Sequence, residues 1–163
     1  MRELVERHSG EEFVRQIRLI ESIPGAGFMT AATVIGEIGD FSVFKSPKQL
    51  FAYFGLDPAV KQSGKFAGKD VKMSKWGSAI ARRAIFAIAL VSIGVKKNGD
   101  ANNQVLRDCY LAKCKSKPKM VALGVVMHKI CNIIFAVLRD GKEFCMVTPD
   151  EHAENYRNRK AAA

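Results

Sequence analysis

Two stretches of the chain, 79–95 and 120–138, are apolar on most of their sides. A helix without a polar face is stable only inside a protein core or a membrane. The longest apolar run, 84–95, is shorter than the about 20 residues a bilayer crossing needs, and Arg82 and Arg83 directly precede it. Both stretches are therefore expected as central core helices, and a transmembrane protein is excluded. The amino terminus is charged between Arg2 and Arg7, which does not fit a secretory signal.

Around these two helices the sequence reads as one mainly α domain. The 163 residues are 48% hydrophobic and 26% charged, a balance that excludes wholesale disorder. Helical spacing runs over 3–21, with a break expected near Ser9-Gly10. Pro24-Gly25-Ala26-Gly27 reads as a tight turn, followed by a helix over 28–38 that Gly39 ends. Ser46-Pro47 suits a helix N-cap and first position, for a short helix ending near Gly55. Residues 55–77 read as an extended loop or short hairpin. Ser78 caps the helix 79–95, another helix covers 101–114, and Pro118 opens the last, which ends near Asp140-Gly141. The domain is expected over 1–145, with a polar, frayed tail over 146–163.

The charge is uneven. The formal net charge is +10, with 26 Lys and Arg against 16 Asp and Glu. Residues 1–44 carry a net −3, whereas 45–83 hold nine basic and two acidic groups, a net +7. So basic a domain points to a polyanion, nucleic acid or an acidic membrane face. Glycines lie among the lysines, in Ser63-Gly64-Lys65 and Gly68-Lys69, and glycine lets backbone approach a ligand closely. A phosphate-binding stretch is therefore expected, rather than a loop kept soluble by its lysines. The basic run Lys113–Lys119 reads equally as a second phosphate contact or a solvated connection.

Metal chemistry finds little support. Cys109, Cys114, Cys131 and Cys145 show no C-x-x-C, and His8, His128 and His152 are scattered. The cysteines are expected as reduced, mostly buried thiols. Glu3, Glu6, Glu11 and Glu12 are spaced as a solvated helix face, so no metal ligands are assigned. His128 is expected to be packed or surface-exposed.

Two constellations carry more specific chemistry. The segment Leu19–Ile35, two helices joined by Ile23-Pro24-Gly25-Ala26-Gly27 with Ala31-Ala32 following, resembles the helix-hairpin-helix DNA-binding motif, here 17–39. In that motif small glycines leave backbone N–H groups beside a helix N-terminus, where they hold a phosphate without reading bases. Gly25 and Gly27 are thus candidate phosphate contacts, the other reading being an ordinary αα-hairpin. The second constellation joins Gly55-Leu56-Asp57-Pro58, Lys61-Gln62-Ser63-Gly64-Lys65, Ser74-Lys75-Trp76-Gly77 and Arg82-Arg83. Taken singly, Ser63 is a turn residue, Trp76 a core or loop anchor with a base-stacking platform as the other reading, and the arginines snorkel at a helix start.

Together and in this order, these residues resemble the C-terminal domain of the insertion-sequence transposases of the IS-one-ten type. The resemblance runs from Ile20–Gly27 through Ile38-Gly39-Asp40-Phe41, Phe44–Leu50 and Ala52–Pro58 to the Ser63 segment. It continues through Ser74–Gly77, Ala81–Ala84 and Lys119–Leu123 to Val137–Lys142, about residues 19–145. It implies RNA-guided DNA recombination, with Ser63 as the nucleophile that attacks a phosphodiester and forms a phosphoserine link. A serine hydroxyl needs a base or metal beside it, and cations stabilise the phosphoryl transition state. Lys61, Lys65, Lys69, Lys72, Lys75, Arg82 and Arg83 are the candidate nucleic-acid contacts. Asp57 and Asp70 are expected as turn-forming and N-capping residues, with orientation of Ser63 as the other reading.

The family's four carboxylates, which resemble an RNase-H-like magnesium site, belong to a RuvC-like domain upstream of the matched residues. Mg2+ is therefore expected in that domain and not in this chain, which is expected to be incompetent by itself. The implied partners are DNA, a guide RNA, the RuvC-like domain and further copies in the full-length protein. The implied location is the cytoplasm and nucleoid of a bacterium or archaeon. A binding-only helix-hairpin-helix module is the alternative, and a helix-hairpin-helix repair enzyme a third reading without a catalytic Lys or Asp that stands out.

Overall fold

A computed structural model describes residues 1–58, 73–148, 150–151, 153–154 and 157–158, and the backbone of 62–63 and 66–67. It is mainly α, as expected. The helices are α1 (Arg2–His8), α2 (Glu11–Glu21), α3 (Phe28–Ile38), α4 (Pro47–Tyr53), α5 (Ala79–Ser92), α6 (Gln104–Cys114) and α7 (Lys119–Asp140), with a 3-10 turn at Phe41–Val43. The expected break between α1 and α2 falls at Ser9-Gly10.

Apolar spacing explains which faces are buried. In α3, Ala31, Val34, Ile35 and Ile38 form one stripe at i, i+3, i+4 and i+7. In α5 the stripe is Ala81, Ala84, Ile85, Ile88, Ala89 and Ser92. Helix α7 buries nine side chains, among them Val126, Ile130 and Ile134, and packs against α2, α4, α5 and α6. Each large aliphatic side chain buried there contributes roughly 1.5–3 kcal/mol. By length and composition α7 would also pass as a membrane span, which corrects the expectation drawn from the shorter 84–95 run. Its buried stripe is the contact surface for the four neighbouring helices, the place expected of a core helix.

The helix ends refine three expectations. Ser78 caps α5 as expected, its hydroxyl accepting from the Ala81 N–H at 3.0 Å. The helix stops at Ser92 rather than at 95, because Val95 bridges Ala101 in an antiparallel pair. The same bridge delays α6 to Gln104, where the Asn103 side chain caps Leu106. Ser46 occupies the N-cap of α4, but its hydroxyl makes no capping bond. Gln49 instead reaches back to accept from the Lys45 N–H at 2.7 Å.

The chain after α7 returns to the end of α2, where the Phe144 N–H donates to Ser22 Oγ at 2.8 Å. Beyond it, Thr148 and Glu151 cap each other reciprocally, and 150–151, 153–154 and 157–158 have helical backbone.

Candidate nucleic-acid interface

Ser63 stands on an excursion from the helical body. The strand Gln62–Ser63 (β1) pairs antiparallel with Phe66–Ala67 (β2), Ser63 opposite Phe66, so the region contains the short hairpin allowed by the sequence. The side chains of these four residues, and all of Lys61, Lys65, Lys69, Asp70 and Lys72, lie outside the described residues.

What is described is the neck from which the excursion leaves and to which it returns. Pro58 and Met73 form an antiparallel bridge. The Ser74 N–H donates to the Asp57 carbonyl at 2.7 Å, the Lys75 N–H to Gly55 at 3.1 Å, and the Ser78 N–H to Tyr53 at 3.3 Å. Side chains reinforce the ladder. Ser74 Oγ donates to Asp57 Oδ1 at 3.1 Å, and an Arg82 guanidinium N–H donates to the Phe54 carbonyl at 3.0 Å. Ser78 also hydrogen-bonds Glu37 of α3.

Two glycines let these backbones meet. A Cβ on Gly77 would lie 2.2 Å from the Tyr53 carbonyl oxygen and 2.6 Å from the Gly55 nitrogen. Gly55 is left-handed at φ 64°, and its Cβ would lie 2.9 Å from the backbone of Lys75 and Trp76. Lys75 is left-handed too, at φ 58°, a strained conformation for a residue with a Cβ.

The candidate cations thus divide. Arg82 is half-buried and uses one N–H inside the neck, whereas Lys75 and Arg83 are exposed. Asp57 faces Ser74 across the neck, a contact that its place in a Gly-Leu-Asp-Pro turn does not announce. Trp76 is not the core or loop anchor read from sequence: it is 89% exposed. The signal that marks the neck in the sequence is the pair of glycines, Gly55 and Gly77, at either end of the lysine-rich segment.

The α2–α3 turn forms a second surface. Gly25 has φ 104°, and a Cβ there would meet Ser92 Oγ at 2.5 Å and the Ile88 carbonyl at 2.9 Å. Its small size lets the turn close onto α5, where the Ser92 hydroxyl lies 2.6 Å from the Pro24 carbonyl. Gly27 is the N-cap of α3; its N–H donates to Thr30 Oγ1 at 3.0 Å, and that hydroxyl donates back to the Gly27 carbonyl at 2.7 Å. The amides of the first turn of α3 (Phe28 and Met29) have no acceptor within the helix and give this end its partial positive charge. Arg2 lies over the Phe28 ring, 4.5 Å from its centre, and pairs with Glu21.

His128 is packed: its ring meets Phe51 edge-on at 4.4 Å. Burial, and secondarily the charge of Lys129, hold its imidazole below the usual pKa. Among the described residues no group of three or more His, Cys, Asp or Glu could hold a metal ion, so the described carboxylates do not fit a magnesium site.

The model of the Transposase IS116/IS110/IS902 family matches residues 17–105, more than half of the chain, from the α2–α3 hairpin through the neck and α5. The chain belongs to this insertion-sequence transposase family. The pilin gene-inverting protein of Moraxella bovis is 30% identical over 133 residues, 82% of this chain and 40% of that protein. The transposase for insertion sequence element IS1111A of Coxiella burnetii is 38% identical over 121 residues, 73% of this chain and 32% of that protein. A 43.6 kDa protein of insertion element IS110 in Streptomyces coelicolor is 29% identical over 123 residues, 76% and 29% of the two chains. The chain therefore spans less than half the length of these transposase-family relatives.

Proposed function

We propose that this chain is the DNA-handling, serine-bearing part of an insertion-sequence transposase, and that Ser63 is the nucleophile in strand cleavage and exchange. The observation that carries the reading is the neck. Ser63 stands in an excursion whose two ends are tied to the buried body by the Ser74–Asp57 and Lys75–Gly55 backbone hydrogen bonds. Such anchoring fixes where the segment that carries Ser63 leaves and rejoins the body, and orientation of a reacting group favours a displacement. The net +7 over 45–83 supports DNA as the partner, and the first-turn amides of α3, which the helix leaves without acceptors, are offered as a second phosphate contact.

In the step proposed, Ser63 Oγ attacks phosphorus. One P–O bond to the serine forms as one P–O bond to a sugar oxygen breaks; the serine proton passes to a base, and the departing oxygen takes a proton from that base's conjugate acid or from water and leaves as a hydroxyl. The number of phosphoester bonds is unchanged, so the strand can be rejoined by the reverse reaction without a separate energy source. The resemblance puts the family's metal-binding carboxylates in a RuvC-like domain upstream, and the activating base or metal is proposed to come from there, which makes the site composite. The guide RNA and the oligomer implied by the resemblance belong with that larger protein.

The test uses full-length protein carrying this chain. Ser63→Ala is expected to abolish the covalent protein–DNA adduct on a denaturing gel while leaving DNA affinity nearly unchanged. An adduct that persists in Ser63→Ala removes Ser63 as nucleophile. DNA binding without an adduct in the unsubstituted protein favours the binding-only module.

A further inference from the structure

Trp76 is the protein's single tryptophan and, among the described large apolar side chains, the most exposed. Leaving an indole in water forgoes the transfer of a large apolar surface. A mobile loop could fold it away, but this segment is fixed on both sides. The Trp76 N–H points to Ser74 Oγ, 3.4 Å away, and Ser74 is itself bonded to Asp57. Lys75 before it is bonded to Gly55, and Gly77 after it is wedged against the Tyr53 carbonyl. Lys75 holds the left-handed backbone that sets the direction of the chain into Trp76, and strain of this kind persists only where the surroundings over-determine it. The indole is presented on a rigid base.

Exposed cations lie close to it in the chain. Lys75 adjoins it, Arg83 follows seven residues on and is exposed in the first turns of α5, and the carboxylate of Asp57 is engaged by Ser74. An exposed aromatic ring beside positive charge is the combination that holds single-stranded nucleic acid, the charge tracking the backbone and the ring taking a base face. We propose that Trp76 is a stacking platform for an unpaired nucleobase, with Lys75 and Arg83 on adjoining phosphates. The proposal rests on the DNA-handling reading above and adds the state of the DNA. In an intact duplex both faces of each base are covered by neighbours, so the platform favours single-stranded or locally opened DNA.

The single tryptophan makes the intact chain its own probe. Its emission is titrated with a short single-stranded oligonucleotide, the same strand in a duplex, and an abasic strand of equal length. Strong quenching by the base-bearing single strand and little by the abasic strand, with both bound, is the expected result. Binding is followed independently by the anisotropy of labelled DNA. Trp76→Ala is expected to weaken single-strand binding about 5- to 150-fold, the range for one base–aromatic stack. Trp76→Phe keeps most of the affinity, and the salt dependence is the same in all three because the indole is uncharged. Equal quenching by the abasic strand, or unchanged affinity in Trp76→Ala while DNA still binds, overturns the platform and leaves the DNA reading standing. A blue shift that grows with protein concentration in the absence of DNA assigns the indole to a protein interface and also overturns it. Failure to bind any of the three probes removes both readings.

Discussion

The α2–α3 turn and the neck of the serine excursion solve the same problem at different ranges. Each brings backbone against backbone where a side chain would not fit. The turn is closed mostly from within: Ala26 donates to Ile23 and Gly27 to Thr30, and one side chain, Ser92, joins it from afar. The neck is closed from a distance, with Ser74 reaching Asp57 17 residues away and Arg82 reaching Phe54 28 residues away. A local motif can be recognised as a string of residues. A long-range joint exists only once the helices on either side of it have folded.

Glycine substitutions break this comparison most sharply. Gly77→Ala drives a methyl group into the Tyr53 carbonyl and the Gly55 nitrogen, and is expected to destabilise by roughly 3 kcal/mol or more. Gly25→Ala meets Ser92 and also needs a left-handed backbone; roughly 2–3 kcal/mol is expected. Gly27→Ala meets nothing within 4 Å and should remain within about 1 kcal/mol. Urea unfolding midpoints of the three variants check the order, and equal losses at Gly77 and Gly27 would show that the neck is not the tight joint described.

The reverse substitution sharpens the contrast. Lys75→Gly relieves a left-handed residue and is expected to stabilise by up to about 1 kcal/mol, offset in part by the freer unfolded chain. A rise in the thermal midpoint, with the charge at that position lost, separates backbone strain from phosphate binding.

The smallest effect concerns pH. The imidazole of His128, under Phe51 of the helix that leads into the neck, titrates below its ordinary value of 6.5. The unfolded chain therefore binds the proton more readily, and this contribution to stability, present above about 6.5, is lost as pH falls through the lower folded value. Urea midpoints at neutral and mildly acidic pH should differ more for the unsubstituted protein than for His128→Gln; identical differences would remove the residue as the source.

Where the sequence was legible, periodicity and end signals explain why. The apolar stripes of α3 and α7, Gly39 after α3 and Ser78 before α5 each act within one or two turns of helix, so a short window contains the whole cause. The end of α5 and the start of α6 escaped because the Val95–Ala101 bridge, a non-local pairing, overrides the apolar run that continues past Ser92. Asp57 read as a turn residue because its partner, Ser74, is far along the chain. Trp76 read as an anchor because tryptophan is usually buried, and only a folded neck shows that nothing described covers it. The basic segment was visible as composition, whereas its division into Arg82 within the joint and Lys75 and Arg83 outside it required coordinates.

The bridge between Pro58 and Met73 also bears on how such a chain can change over generations. Because the body itself brings these two residues together, whatever is strung between them begins and ends at a closed gate. As a general rule, doubling the length of a loop whose ends are held together adds only about 0.6 kcal/mol of closure entropy. A change of length between Pro58 and Met73 is therefore expected to cost the helical scaffold little so long as the bridge itself stands, which leaves room for insertions on either side of the residues that do the chemistry.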